Sequence, residues 1–182
     1  EATEERGLLN YRTTPDCMPH LLDKKNVDML TSQKVFTEAE LKSRCDIMLD
    51  NYCKQVKIEA GTMVQMARRE IAPAIEAYAA ELSKTIGYKK AVDENIPCSY
   101  EKNLVKKLST LLDDIAVKAD ELEQAVSVLD SVEDIVDESY AIRDNVLVKM
   151  DELRIPCDEA ETITAKKYWP FPTYGDLLFG VR

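Results

Sequence analysis

The sequence has few residues that break helices and almost none that act as general bases or metal ligands. Its 182 residues include 5 glycines, 7 prolines and a single histidine, His20. This scarcity of turn-forming residues argues against an all-β or loop-rich architecture. One imidazole cannot complete a di-metal site in a helical bundle, which takes a histidine from each of two helices. Glycine-rich phosphate loops are also absent, so we expect no catalytic, cofactor-binding or metal-binding residue.

The cysteines are odd in number and scattered, with no C-x-x-C pair, which argues against a disulfide framework and a zinc knuckle. No apolar run approaches the roughly 18 residues of a membrane span, and no basic-then-apolar leader opens the chain. These observations favour a reducing compartment, and we expect a cytoplasmic protein. The five cysteines are Cys17, Cys45, Cys53, Cys98 and Cys157.

The balance of charge is acidic. The chain carries 34 acidic and 24 basic residues, a formal net charge of −10. Such a surface repels phosphate backbones and anionic lipids. We therefore expect neither a nucleic acid nor a membrane among its partners.

The longest apolar stripe follows a helix-capping sequence. Thr37 and Glu40 have the spacing of a capping box, in which each side chain accepts a hydrogen bond from the other residue's amide. From there apolar residues recur every three or four positions, which is typical of one buried helical face. We predict a helix over 37–86 that ends before Gly87 and is kinked or split at Pro73, because proline removes a hydrogen bond to the preceding turn. The predicted stripe comprises Leu41, Cys45, Met48, Tyr52, Val56, Ala60, Met63, Ala67, Ile71, Ala74, Tyr78 and Leu82.

Two further stripes predict long helices at 99–130 and 135–163. Ser99 is the expected N-cap of the first, and Asp130 with Glu133 is expected to start the second. Pro156 lies within the last stripe and is expected to kink it. Because such helices are unstable alone in water, we expect an all-α fold with three long helices in an antiparallel bundle. The stripes comprise Leu104, Leu108, Leu111, Ile115, Ala119, Leu122, Val126 and Leu129, then Val136, Tyr140, Val146, Met150, Leu153, Cys157, Ala160 and Ile163.

The chain ends in a segment rich in aromatic residues and proline. Pro170 and Pro172 argue against a regular helix across it, and Trp169 is the single tryptophan. We expect residues 166–182 to form an extended strap with Trp169 buried against the bundle, since an exposed apolar tail favours aggregation. The expected organisation is a connector at 1–36, a helical bundle at 37–165 and this strap.

Three stretches of the chain carry a recognisable pattern. The first comprises Arg6-Gly7-Leu8-Leu9-Asn10, Thr13-Thr14-Pro15-Asp16 and Met18-Pro19. The second comprises residues 35–44, 58–60, 66–67 and 71–74. The third comprises residues 150–154, 169–174 and 177–179. Together these stretches resemble the C-terminal region of type III glutamine synthetases, the large bacterial form of the enzyme. Cys17, where alanine would be expected, and Pro156 depart from the family pattern.

The resemblance implies a structural and assembly domain at the C-terminus of an oligomeric ligase of nitrogen metabolism and glutamine biosynthesis. Glutamine synthetases join ammonia to glutamate through a γ-glutamyl phosphate, using ATP and Mg²⁺ on a catalytic domain upstream of this region. The implied partners are that domain and other subunits, and we expect the fragment itself to be inactive. The first residue is Glu1 and not methionine, which agrees with a piece of a longer protein. The residues alone also allow a free-standing coiled-coil adaptor or a regulatory partner-binding domain.

Overall fold

The computed structural model describes residues 5–7 and 9–180, and in this part of the chain helices dominate and no strand occurs. The predicted all-α fold with long helices is therefore confirmed. None of the helices in the described ranges combines the length and the apolarity that crossing a bilayer requires.

The N-terminal segment contains short helices. Helix α1 (Thr14–Cys17) is capped by Thr13, whose hydroxyl accepts a hydrogen bond from the Asp16 amide at 3.3 Å. A 3₁₀ turn (Met18–Leu22) leads into α2 (Lys24–Ser32). The chain leaves α2 through Lys34, whose φ of 55° lies in the left-handed region. This conformation suits a sharp change of direction before the first long helix.

The first long helical stretch consists of α3 (Glu38–Met66), a π turn (Ala67–Ile71) and α4 (Ala72–Val92). The capping box is confirmed, because the Thr37 amide donates to Glu40 at 2.7 Å and the Glu40 amide donates to Thr37 Oγ1 at 3.3 Å. In the π turn the Ala72 amide bonds to the Ala67 carbonyl, just before Pro73. The predicted end at residue 86 was wrong: Gly87 stays helical, and the helix ends where Asp93 becomes extended.

The second and third long helices follow. Helix α5 (Ser99–Val128) passes into a 3₁₀ turn (Leu129–Ser131), and its first residue is Ser99, so the predicted N-cap was one position late. Asp134, and not Asp130, caps α6 (Ile135–Ala141), because its carboxylate accepts from the Val136 and Asp137 amides. A second π turn (Ile142–Val146) then joins α6 to α7 (Leu147–Ile163), and α7 continues through Pro156.

The end of the described chain is only partly extended. Residues 165–173 contain no regular helix, but α8 (Tyr174–Phe179) follows them. Thr173 and Asp176 form a capping box that starts α8 directly after the prolines. The extended segment is therefore shorter than predicted, and the strap and connector ranges reach into residues outside the described ones.

The chain divides into two compact units. Unit 1 comprises Glu1–Ala60 and Ala125–Val148, and unit 2 comprises Gly61–Gln124 and Lys149–Arg182. The predicted stripe needs one correction in unit 1, since Leu49 is fully buried and Met48 is half exposed. Fully buried side chains of unit 1 include Leu41, Leu49, Ile142 and Val146, and those of unit 2 include Ile75, Leu108, Ile115, Leu122 and Leu153.

Ion pairs within unit 2 indicate how neighbouring helices run. As the residue number rises along one helix, the number of its partner falls, as it does between antiparallel neighbours. The pairs are Arg68 with Asp120 and Glu123, Lys89 with Glu101, Lys107 with Glu159, and Lys118 with Glu152.

Candidate functional site

The single histidine is engaged inside the N-terminal segment. His20 Nδ1 lies 3.0 Å from an Asp23 carboxylate oxygen, and its ring stacks on Tyr11 with centroids 4.4 Å apart. The carbonyl of His20 accepts a hydrogen bond from the Asn26 side chain at 2.6 Å. These contacts link His20 to Tyr11, Asp23 and Asn26 and give the imidazole a structural role.

The buried cysteine thiols are poor nucleophiles. Burial raises the pKa of Cys45, and it raises the pKa of Cys53 and of Cys157 to about 11. With a raised pKa, these thiols stay protonated at neutral pH. They are therefore unreactive, because the thiolate is the nucleophilic form. Cys17 is exposed, whereas Cys98 is buried like the other three. The cysteines therefore contribute packing to both units.

Four charges on α5 and α7 form a closed ring. Lys118 and Lys149 each bind both Glu121 and Glu152, with N–O distances of 2.9–3.0 Å. Hydrogen bonds from Lys149 and Lys118 lower the pKa of Glu121, and those from Lys118 and Lys149 lower that of Glu152. Lysine ammonium groups occupy these carboxylates, so the ring joins two helices of unit 2. It does not present the oxygen ligands that Mg²⁺ needs.

Potential metal ligands do not cluster in the described part of the chain. No group of three His, Cys, Asp or Glu side chains that could hold a metal ion occurs in residues 5–7 and 9–180. The donor set in this part of the chain therefore does not fit a magnesium–nucleotide site.

An arginine on the second π turn fastens the N-terminal segment to the rest of unit 1. Arg143 pairs with Asp16 and forms two hydrogen bonds to Asp144, at 2.7 and 2.9 Å. Its guanidinium also lies 4.7 Å from the centre of the Tyr140 ring. The Thr13 hydroxyl and the Arg143 charge lower the pKa of Asp16, so this carboxylate is ionised at neutral pH.

A second contact fastens the same segment to α3. Cys45 Sγ donates to the Met18 carbonyl oxygen at 3.3 Å, and Pro15 is fully buried. These two contacts fix the C-terminal end of α1 to the rest of unit 1. A side chain near this junction is unsatisfied, since the buried Tyr52 hydroxyl has no hydrogen-bond partner within the described residues.

An apolar surface with polar edges lies at the start of α3, in unit 1. Two depressions of about 560 and 380 Å³ adjoin here and share Glu40 in their lining. The Arg44 guanidinium covers the Phe36 ring at 4.5 Å. We define the Glu40 corner as Val35, Phe36, Glu40, Arg44, Ile47 and Met48.

The C-terminal segment combines packed and exposed apolar groups. Tyr168 contacts Tyr78 of α4 with ring centroids 5.3 Å apart, and Trp169 meets the Phe171 ring edge-on at 6.2 Å. Trp169 is half-buried, and its Nε1 is buried without a hydrogen-bond partner in the described part of the chain. Leu177, Leu178 and Phe179 are exposed. Trp169 packing against the helices stays a prediction.

Sequence patterns did not reveal these surfaces. Asp16 and Arg143 pair although they are 127 positions apart in the sequence. No sequence motif indicates that these two residues meet. The sequence pattern misses the Glu40 corner because it predicts that Met48 belongs to the buried stripe. The sequence does contain one signal, the run Ile47-Met48-Leu49, which has three apolar residues where a single stripe needs one.

The chain is similar to known proteins along its whole length. Residues 1–90 match the family model described as the glutamine synthetase C-terminal domain. A glutamine synthetase of Butyrivibrio fibrisolvens is 34% identical over 182 residues, which are 100% of this chain and 26% of that protein.

Two further relatives match nearly the whole chain. A glutamine synthetase of Bacteroides fragilis (strain YCH46) is 25% identical, with 96% of this chain and 24% of that protein covered. A type-3 glutamine synthetase of Dictyostelium discoideum is 23% identical, with 98% and 25% covered. The chain thus spans about a quarter of the length of the curated relatives it matches. It belongs to the family of glutamine synthetase C-terminal domains.

Proposed function

We propose that this chain is the non-catalytic C-terminal domain of a type III glutamine synthetase, and that it stabilises the assembled enzyme. The observation that carries the proposal is a match along the whole chain to an enzyme about four times as long. The assignment to type III is supported by the Dictyostelium relative, which bears that name. In this proposal the enzyme is bacterial, cytoplasmic and oligomeric.

In this proposal the upstream domain carries out catalysis, and this domain contributes to assembly of the enzyme. Ligation of ammonia to glutamate, with ATP and Mg²⁺, belongs to the catalytic domain. The described residues of this chain instead offer rigid helices, ion pairs between helices and exposed apolar groups. These features suit contacts with the catalytic domain and with other subunits, which are the proposed partners.

Calorimetric titration of the isolated chain with ATP and Mg²⁺ tests the non-catalytic role. We expect no saturable heat, because the carboxylates best placed to share an ion are neutralised by lysine. The full-length protein serves as the positive control and should show glutamate–ammonia ligase activity. Saturable micromolar binding by the isolated chain, or an inactive full-length protein, contradicts the proposal.

A further inference from the structure

We infer that the Glu40 corner is the surface on which the catalytic body of the same polypeptide docks. This inference rests on the proposed function, which places such a body upstream of the chain. It goes further, because it selects one surface and one occupant.

The first reason is the exposure of large apolar side chains on a regular helix. Ile47 and Met48 are 54% and 50% exposed on α3, although the next residue, Leu49, is fully buried. Val35 is also exposed at the edge of the same corner. Adjacent exposed apolar groups around depressions that can receive side chains are typical of a protein interface.

The second reason is local charge. Lys34, Lys42 and Arg44 balance Glu38, Glu40 and Asp46, so residues 34–46 carry no net charge in a chain of net charge −10. Glu40 remains ionised because its bonds to the Thr37 amide and hydroxyl lower its pKa. An incoming protein surface of either sign therefore meets little repulsion at the Glu40 corner.

The third reason identifies the occupant. The connector that leads to the upstream body is fixed to α3 through the buried Cys45, the residue that follows Arg44 of the corner in the sequence. Because the connector tethers the catalytic body to this domain, the effective concentration of the body at the corner is about millimolar. The tether alone provides this concentration, and no additional contact is needed. A second copy of this chain has no such advantage, and it brings a further charge of −10. The geometry of attachment thus favours the body of the same polypeptide.

Methionine oxidation in the full-length enzyme measures the occupancy of the Glu40 corner. Met48 and Met29 both lie in unit 1 and are 50% and 55% exposed, and Met29 lines neither depression. Dilute hydrogen peroxide oxidises exposed thioethers, and mass spectrometry gives each rate relative to the urea-unfolded enzyme. We expect Met48 to oxidise about fivefold or more slowly than Met29, since docking shields it. Equal rates in an enzyme with ligase activity overturn the inference and leave the proposed function intact.

Two matched variants of the full-length enzyme link the shielding to the corner. Ile47→Asp places a charge in the interface and should raise the Met48 rate to that of Met29. Val117→Asp changes a residue of similar exposure, 55%, on α5 of unit 2, and should leave the ratio unchanged. If the two variants give the same Met48 rate, the corner is not the docking surface.

A photo-crosslinking side chain at position 47 distinguishes the occupants. Capture of the body of the same polypeptide adds no mass to the denatured chain, and peptide mapping locates the bond upstream of this domain. A crosslinked band of twice the mass identifies a second subunit and contradicts the inference. If the unmodified full-length protein has no ligase activity, that result contradicts the proposed function itself.

Discussion

Trp169 provides a test of how the C-terminal segment packs, because two substitutions should have opposite effects. Truncating a fully buried tryptophan to alanine costs about 3–5 kcal/mol of stability. Trp169 is half-buried and contacts Phe171, so we expect Trp169→Ala to cost about 2 kcal/mol. For a chain of this length, that cost lowers Tm by roughly 4–8 °C.

Trp169→Phe should not lose stability as Trp169→Ala does. Phenylalanine keeps an aromatic ring beside Phe171 and removes the buried Nε1–H group, which has no partner among the described residues. An unsatisfied buried donor costs about 1–3 kcal/mol, so its removal offsets the smaller ring. The phenylalanine variant should melt at or above the temperature of the original protein.

Thermal unfolding followed by far-ultraviolet circular dichroism measures both variants, with Leu178→Ala as an exposed control in the same segment. Fluorescence of Trp169, the single indole, should be partly shielded from acrylamide and should change together with the helical signal. The reasoning is refuted if Trp169→Ala has the same Tm as the original protein, because the packing of the segment then contributes no stability. It is also refuted if Trp169→Phe loses as much stability as Trp169→Ala.

Three further predictions concern the core, the charge ring and the thiols. Leu122→Ala should cost about 2–5 kcal/mol in urea unfolding because Leu122 is fully buried, whereas the exposed Val117→Ala should stay within about 0.5 kcal/mol, and equal effects would contradict the assigned core. In the charge ring, the pKa of Glu121 and of Glu152 is lowered and that of Lys118 and of Lys149 is raised. The ring should therefore stabilise the fold fully between the ordinary glutamate and lysine ranges, and the Tm loss of Glu121→Gln should disappear as pH falls from the ordinary glutamate range through the lowered glutamate pKa. A loss that persists in acid would show that the effect is not electrostatic, and exposed Asp113→Asn is the control. Native alkylation should modify Cys17 first, because Cys45, Cys53, Cys98 and Cys157 are buried, and a second thiol of equal rate would refute the described burial.

Local signals in the sequence predicted helix starts and types better than helix ends and faces. The Thr37–Glu40 box was predictable because its two residues are three positions apart and satisfy each other. The end at Val92 was not, since Gly87 can stay helical when the surrounding helix continues. Likewise, Thr173 starts a short helix directly after Pro172, which a rule based on proline alone misses.

The apolar pattern left neighbouring residues ambiguous. Met48 and Leu49 are both apolar and adjacent, and only packing decides that Leu49 is buried. The resemblance identified the family, but it could not locate a surface. The pairing of Asp16 with Arg143 and the depressions around Glu40 depend on residues that the fold brings together. Spacing along the chain carries no information about such contacts.

The two π turns have a consequence for how chains of this kind can differ in length. A π turn contains one more residue than an α turn, because its hydrogen bonds reach five residues back. Deleting one residue from Ala67–Ile71 therefore converts the turn to α geometry and leaves the following helix facing the same way.

A deletion inside α5 has no such compensation. It rotates every later residue of that helix by about 100° and turns Leu122 away from its core. Single-residue gaps between homologous chains should accordingly collect at Ala67–Ile71 and Ile142–Val146. At these two positions a long helix can gain or lose a residue without a change in which face it buries.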